Sequence, residues 1–372
     1  MRTPPGLRAR TGLLVLPLLL GLAGPALAET TGPVGGTRLA TRGVTVAPGA
    51  PSLPATTAAG WLVADLDTGE VLAAKDPHGK FAPASTLKTL TALTLIPRLD
   101  ARKYVRPTFE DVNIEGSRVG LVNTVDYPVS QLFTAMLVVS GNDAARALAT
   151  ANGGMATTVA QMNAETQRIQ ALDTHAVNTS GLDAPGQVSS PYDLALVARA
   201  GMALPAFREY VKIKRTKIRG PGGSTIAIST HDKLLYNYDG AIGIKNGYTN
   251  AARASFVGAA TRGGHTLVVT LMKTNPRYWP EAAALLDWGF EATARRVTPV
   301  GQLVDPLPDA SASPQPTTVA NAQAVRPAAV REASGGDLPL LPAGLVVAGL
   351  GVLGVGARRT RRRPRKMRLP PI

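Results

Sequence analysis

The sequence predicts an α/β (α+β) fold. One antiparallel sheet is built from the N- and C-terminal parts of a folded unit at 56–298, flanked by helices, with an all-helical insert between its halves. Three observations predict it: strand–turn–strand patterning over 60–74, helical periodicity through 129–202, and a return of strand patterning over 241–272. A cleft between sheet and insert is the natural place for a site.

Each element has its own warrant. The apolar runs 60–66 and 69–74 meet at Asp67-Thr68-Gly69, a turn signal. Residues 83–96 read as a helix opening on proline, whose fixed φ and missing N–H suit a first turn. Helical patterns follow at 130–139, 144–151, 155–171 and 191–202. The stretch 241–244 reads as a strand leading into Lys245, and 254–261 and 266–272 form a hairpin around Arg262-Gly263-Gly264-His265. A helix over 278–290 closes the unit. Lys212, Lys214, Arg215, Lys217 and Arg219 alternate positive charge and read more readily as a solvated strand edge than as a polymer-binding stripe.

Composition narrows the chemistry. Of 372 residues 45% are apolar, ample for a buried core. The net charge of +15 sits largely at the ends: three arginines in residues 1–28 and eight basic residues from Arg358 onward, with no acids in either stretch. A nearly neutral middle is a pattern of targeting and topology, and it argues against a nucleic-acid partner. There is no cysteine, so disulfides, thiolate nucleophiles and Cys-ligated metal centres are excluded. His78, His175, His231 and His265 lack metal-ligand spacing, and neither metal nor cofactor is expected.

Both ends read as membrane signals. Residues 1–28 pattern as a secretory signal peptide: Arg2, Arg8 and Arg10, an apolar stretch at 13–23, then Ala26-Leu27-Ala28 as the cleavage site. Residues 29–55 look like a flexible leader, and 299–337 like a Pro/Ala-rich linker. The uncharged span 338–357 has the length of a transmembrane helix, and the basic tail 358–372 orients it with the folded unit outside. The expectation is a single-pass membrane protein with an extracytoplasmic domain.

Three short motifs carry chemistry. In Ser85-Thr86-Leu87-Lys88 the serine and lysine are three apart on a helix and share a face. A serine hydroxyl is a poor nucleophile until something removes its proton, which a neutral lysine beside it can do. Ser140-Gly141-Asn142 puts a hydroxyl and an amide on one turn that could line the cleft opposite. In Lys245-Asn246-Gly247 a strand-borne lysine can hold an anion, and the glycine admits substrate close to the backbone. Taken singly, each motif has an ordinary reading as a helix cap, a helix–helix turn or an Asn-Gly turn.

Together, in this order, they resemble the active-site serine penicillin-recognising enzymes, above all the low-molecular-mass D-alanyl-D-alanine carboxypeptidases. Segments 83–93, 140–145, 178–183, 192–195 and 243–249 add to the resemblance, which spans about 56–298. It implies the β-lactamase/transpeptidase-like fold and a serine DD-peptidase without cofactor. Its partners would be stem peptides ending in D-Ala-D-Ala, with β-lactams as covalent inhibitors. Ser85 would be the nucleophile and Lys88 its base. Ser140 and Asn142 would assist proton transfer and hold substrate. Lys245, Asn246, Gly247 and Tyr248 would bind it, with the Ser85 and Tyr248 backbone N–H groups as oxyanion hole. Asn246 stands where the family usually has Thr or Ser, so altered affinity is expected. A class A-like β-lactamase would need a glutamate for deacylation, and Glu165 is followed by Thr-Gln-Arg instead of the required pattern. A non-catalytic wall-binding scaffold would have little reason to keep Ser85 and Lys88.

Overall fold

The computed structural model describes residues 32–308. The predicted signal peptide, the linker from 309, the 338–357 span and the basic tail lie outside the described residues. Among the described residues no helix is long and apolar enough to cross a membrane.

Three strands open the chain: β1 (Val44–Val46), β2 (Gly60–Asp65) and β3 (Glu70–Lys75). The insert then runs through α1 (Lys88–Leu95), β4 (Tyr104–Val105), α2 (Phe109–Val112), β5 (Tyr127–Pro128), α3 (Val129–Val138), α4 (Asn142–Ala151), α5 (Met155–Arg168), α6 (Pro191–Ala203) and α7 (Pro205–Val211). A hairpin of β6 (Arg215–Arg219) and β7 (Thr225–Ser229) and the short α8 (Leu234–Asn237) lead back to the sheet. The sheet is completed by β8 (Ala241–Thr249), β9 (Arg253–Arg262) and β10 (His265–Thr274), followed by α9 (Trp279–Ala294) and β11 (Gly301–Gln302).

The main sheet is antiparallel in the order β1-β3-β2-β10-β9-β8, with β11 also on β3. Its two halves, early and late in sequence, meet where β2 pairs β10, with Val63 opposite Val269. Every residue of β2 is buried, because both faces of the sheet are covered. Trp61 and Val63 pack into the core under α9, whereas Leu62 and Ala64 face the core shared with the insert. Side chains alternate across a strand, so a run without polar interruption is what two apolar layers require. The insert is built around α1, all eight of whose residues are buried. It is mainly helical, with the small ribbons β4–β5 and β6–β7 added.

Two boundaries differ from the sequence expectation. The expected leader, 29–55, is packed from residue 32 on: Leu39 is fully buried, and Val44–Val46 pair with Lys75–Ala73. The expected linker starts about ten residues late. Gly301 pairs with Val71, Leu303 is fully buried, and the Leu307 N–H reaches the Arg168 carbonyl. The reason is the outer edge of β3, whose peptide groups need partners. β1 satisfies one half of that edge and β11 the other. The two segments also meet directly, through a hydrogen bond from the Gln302 N–H to the Gly35 carbonyl.

Candidate active site

Ser85 lies in a short 3-10 turn, Ala84–Leu87, that runs into α1. Ala84 enters it with φ of 48°, a left-handed conformation unusual for a side-chain-bearing residue. Two glycines make room for it. A Cβ on Gly181 would fall 1.8 Å from the Ala84 carbonyl oxygen, and one on Gly247 would fall 2.5 Å from the Ser85 nitrogen. The Ser255 hydroxyl donates to the Pro83 carbonyl (2.6 Å), tying the turn to β9. Ser85 is therefore held between a loop of the insert and the edge strand β8.

Lys88, one turn on, is completely buried, and its Nζ lies 3.0 Å from Ser85 Oγ. The same nitrogen donates to Asn142 Oδ1 at 2.7 Å and to the Ser180 carbonyl at 2.6 Å. Burial drives its pKa well below the usual lysine value; the nearby Lys245 charge adds to this, and Asp143 opposes it. A neutral amine has two N–H bonds and one lone pair. With both N–H bonds given to Asn142 and Ser180, the lone pair is left for the Ser85 hydroxyl. Lys88 could in this arrangement act as a base on that one proton.

Asn142 opens α4, and its amide orientation is fixed from both sides. Nδ2 donates to the Glu115 carbonyl (2.6 Å), so Oδ1 must face Lys88. Next to it, Asp143 accepts from the backbone N–H groups of Val119, Gly120 and Leu121, securing the 116–121 loop beside the site. Ser140 is buried, with φ of 62°, in the turn between α3 and α4. Its hydroxyl makes no hydrogen bond to Ser85 or Lys88, so the second motif reaches the nucleophile's base through Asn142.

The third motif lies on β8, the free edge of the main sheet. Lys245 is buried and donates to the Asn246 carbonyl at 2.6 Å. Burial lowers its pKa to about 8, while the buried Asp232 pulls it upward. Gly247 abuts the Ser85 backbone, as described, and Tyr248 beyond it is exposed. Ser85, Lys88, Asn142 and Gly247 thus form one contiguous group. Lys245 is near enough for its charge to act on Lys88.

The motifs did not identify the loop 178–183, which matched the family without an assigned role. Asn178 Oδ1 accepts from the N–H groups of Ser180 and Gly181, and this turn aims the Ser180 carbonyl at Lys88. The signal was Asn-Thr-Ser-Gly, in which a short amide side chain followed by glycine favours such a turn. Glu165 is not part of the site; its carboxylate is held by Arg168 at 2.7 Å. Among the described residues no acidic or histidine cluster could hold a metal.

Comparison with known proteins gives the family. Residues 47–275 match the D-alanyl-D-alanine carboxypeptidase family. The chain is 44% identical over 237 residues to D-alanyl-D-alanine carboxypeptidase DacB2 of Mycobacterium tuberculosis, covering 62% of this chain and 81% of that one. A crystal structure of a D-alanyl-D-alanine carboxypeptidase from M. tuberculosis H37Rv superposes with a TM-score of 0.65 at 41% identity, covering 71% of this chain and all of that one. The Streptomyces K15 DD-transpeptidase superposes with a TM-score of 0.61 at 27% identity, over 64% of this chain and 99% of that one. Some enterobacterial relatives are longer, and the match covers about 64% of their length.

Proposed function

Because the chain belongs to the D-alanyl-D-alanine carboxypeptidase family, we infer that it is a serine-type D-Ala-D-Ala carboxypeptidase. It removes the terminal D-Ala from peptidoglycan stem peptides through an acyl-enzyme and reacts covalently with penicillins at the same serine. The observation that carries this reading is the 3.0 Å approach of a buried, pKa-depressed Lys88 to Ser85 Oγ.

In the first step Ser85 gives its proton to the Lys88 lone pair as Oγ attacks the carbonyl carbon of the penultimate D-Ala. Lys88 becomes an ammonium, and nearby Asp143 favours that charge. The oxyanion is received by the backbone N–H groups of Ser85 and Tyr248. Collapse of the tetrahedral intermediate breaks the peptide bond, and Lys88 gives up its proton to the leaving D-Ala amine. The family resemblance makes Ser140 the relay, although in the free chain its hydroxyl is not bonded to Lys88. Lys245 holds the terminal carboxylate, with the Asn246 amide in place of the family's hydroxyl. Water then releases the shortened peptide. A β-lactam follows the same attack and stays attached as an acyl adduct.

The layout of the rest is part of the proposal. The basic, apolar and small-residue pattern of 1–28 supports export, and the uncharged 338–357 span followed by arginines supports a membrane anchor with the domain outside. Deleting 338–372 should release the protein from the membrane fraction; retention there would argue against the anchor.

The enzymatic test is an intact-mass time course with benzylpenicillin, alongside D-Ala release from a peptide ending in D-Ala-D-Ala. A long-lived adduct on Ser85 with D-Ala release is expected. Fast turnover of the adduct would point to a β-lactamase, and absence of both reactions would leave a scaffold.

A further inference from the structure

The β6–β7 hairpin stands apart from the main sheet, and its two faces differ in kind. Ile218 and Ile228 are buried on the inner face. On the outer face, Arg215, Lys217 and Arg219 are exposed and lie opposite Ser229, Ala227 and Thr225. The facing side chains are small and uncharged, so the cations stand clear of the surface. Strand geometry spaces them about 7 Å apart in a straight row.

Among the described residues none of these charges is neutralised in a salt bridge, although Arg219 acts on the Asp126 carboxylate from a distance. No carboxylate lies within ion-pair distance of Lys214, Arg215, Lys217 or Arg219 among the described residues. Between residues 213 and 233 the single acid is Asp232, which is buried. Two exposed tyrosines flank the row: Arg219 lies over Tyr104 at 5.4 Å, and Lys214 over Tyr236 at 5.8 Å. Blunting a strand edge would take one lysine. A row of cations outside any salt bridge, with an exposed tyrosine at each end, suits an extended anionic polymer that can also lie against the open faces of those rings.

The row is also connected to the catalytic cleft. The Lys214 carbonyl accepts from the Thr230 N–H and from the Tyr236 hydroxyl of α8, and just before the hairpin the Val211 carbonyl lies against Gly243, two residues ahead of Lys245 on β8.

We propose that the outer face of this hairpin is a docking track for the peptidoglycan polymer itself. The anionic stem peptides of a glycan strand would bind Arg215, Lys217 and Arg219, and its sugars would lie against Tyr104 and Tyr236, while another stem on the strand enters the cleft. This rests on the carboxypeptidase reading, which makes that polymer the substrate. Docking beside the cleft raises the local concentration of stem termini. The attraction is electrostatic and weakens with salt.

The test compares the full chain with its R215Q/K217Q/R219Q variant on two substrates: a soluble tripeptide ending in D-Ala-D-Ala, and purified sacculi stripped of phosphodiester-linked polymers with hydrofluoric acid. The expected result is equal D-Ala release from the tripeptide, with pelleting on sacculi and release from sacculi falling about tenfold or more. An R42Q/R277Q variant, which removes exposed charge elsewhere, should match the wild type. Undiminished binding and turnover on sacculi by the triple variant would overturn the proposal. So would an equal loss on both substrates, which would mark the hairpin as part of the catalytic fold. Binding to untreated walls but not to stripped sacculi would also overturn it, by making a phosphate polymer the ligand. A wild type inactive on the tripeptide would instead count against the carboxypeptidase reading, and sacculus pelleting would still decide the docking track.

Discussion

At the scale of single residues, the proposed mechanism asks two lysines of one site to hold different protonation states. Lys88 must be neutral to take the Ser85 proton, whereas Lys245 must be charged to hold a carboxylate. Acylation should therefore rise with pH as Lys88 loses its proton. Carboxylate-dependent turnover should fall above about pH 8 as Lys245 loses its own. The Lys245 charge helps depress Lys88, so K245Q should move the Lys88 limb to higher pH, read from the penicillin acylation rate against pH. A limb that stayed in place would remove Lys245 from the account. S85A should abolish both the adduct and D-Ala release at an unchanged melting temperature. Gly247→Ala would put a Cβ 2.5 Å from the Ser85 nitrogen. That displaces the nucleophile, and a fall of about 100-fold in acylation rate is expected.

At the scale of elements, α6 carries a buried acid that chemistry does not use. Asp193 accepts a hydrogen bond from Thr174 at 2.7 Å, and burial pushes its pKa up to about 7. The unfolded chain ionises it near its ordinary value, 3.8. Between those limits the unfolded state has lost a proton that the folded state keeps, so this group's contribution to stability declines as pH rises from about 4 to 7. D193N should flatten the change in urea midpoint across that range, and an unchanged slope would assign it to other groups. The elements also differ in how legible they were. The 60–74 and 254–272 hairpins announced themselves by turn residues between apolar runs, and Pro83 marked the entry to the catalytic turn. β1 and β11 could not be read, because strands of two or three residues have no periodicity and exist only through pairing with distant β3. The motifs pointed to Ser85, Lys88 and Asn142 by side-chain type. The Ser180 contact was hidden because its acceptor is a backbone carbonyl, which every residue has.

At the scale of the whole molecule, the sheet's outer edge fixes where the domain ends. A chain ending at 298 loses β11 and leaves the pocket of fully buried Leu303 empty. By analogy with leucine truncations in cores, it should be roughly 2–5 kcal/mol less stable than one ending at 308. Chemical denaturation of the two would check this, and equal midpoints would mean that the last ten residues only decorate the surface.

The same edge has a mechanical meaning. Both ends of the described chain fasten to β3, while Lys245 and Gly247 sit on β8, four strand spacings or roughly 19 Å across the sheet. A pull arriving through residue 308 meets the Leu307–Arg168 hydrogen bond and the Asp305–Arg199 ion pair first, then the β11–β3 contact and Tyr192, whose hydroxyl donates to the Gln302 carbonyl. Those bonds would peel apart before the load reached the catalytic turn. If the proposed anchor pulls on the chain beyond residue 308, the cleft is decoupled from that tension, because the load enters on the far side of the sheet.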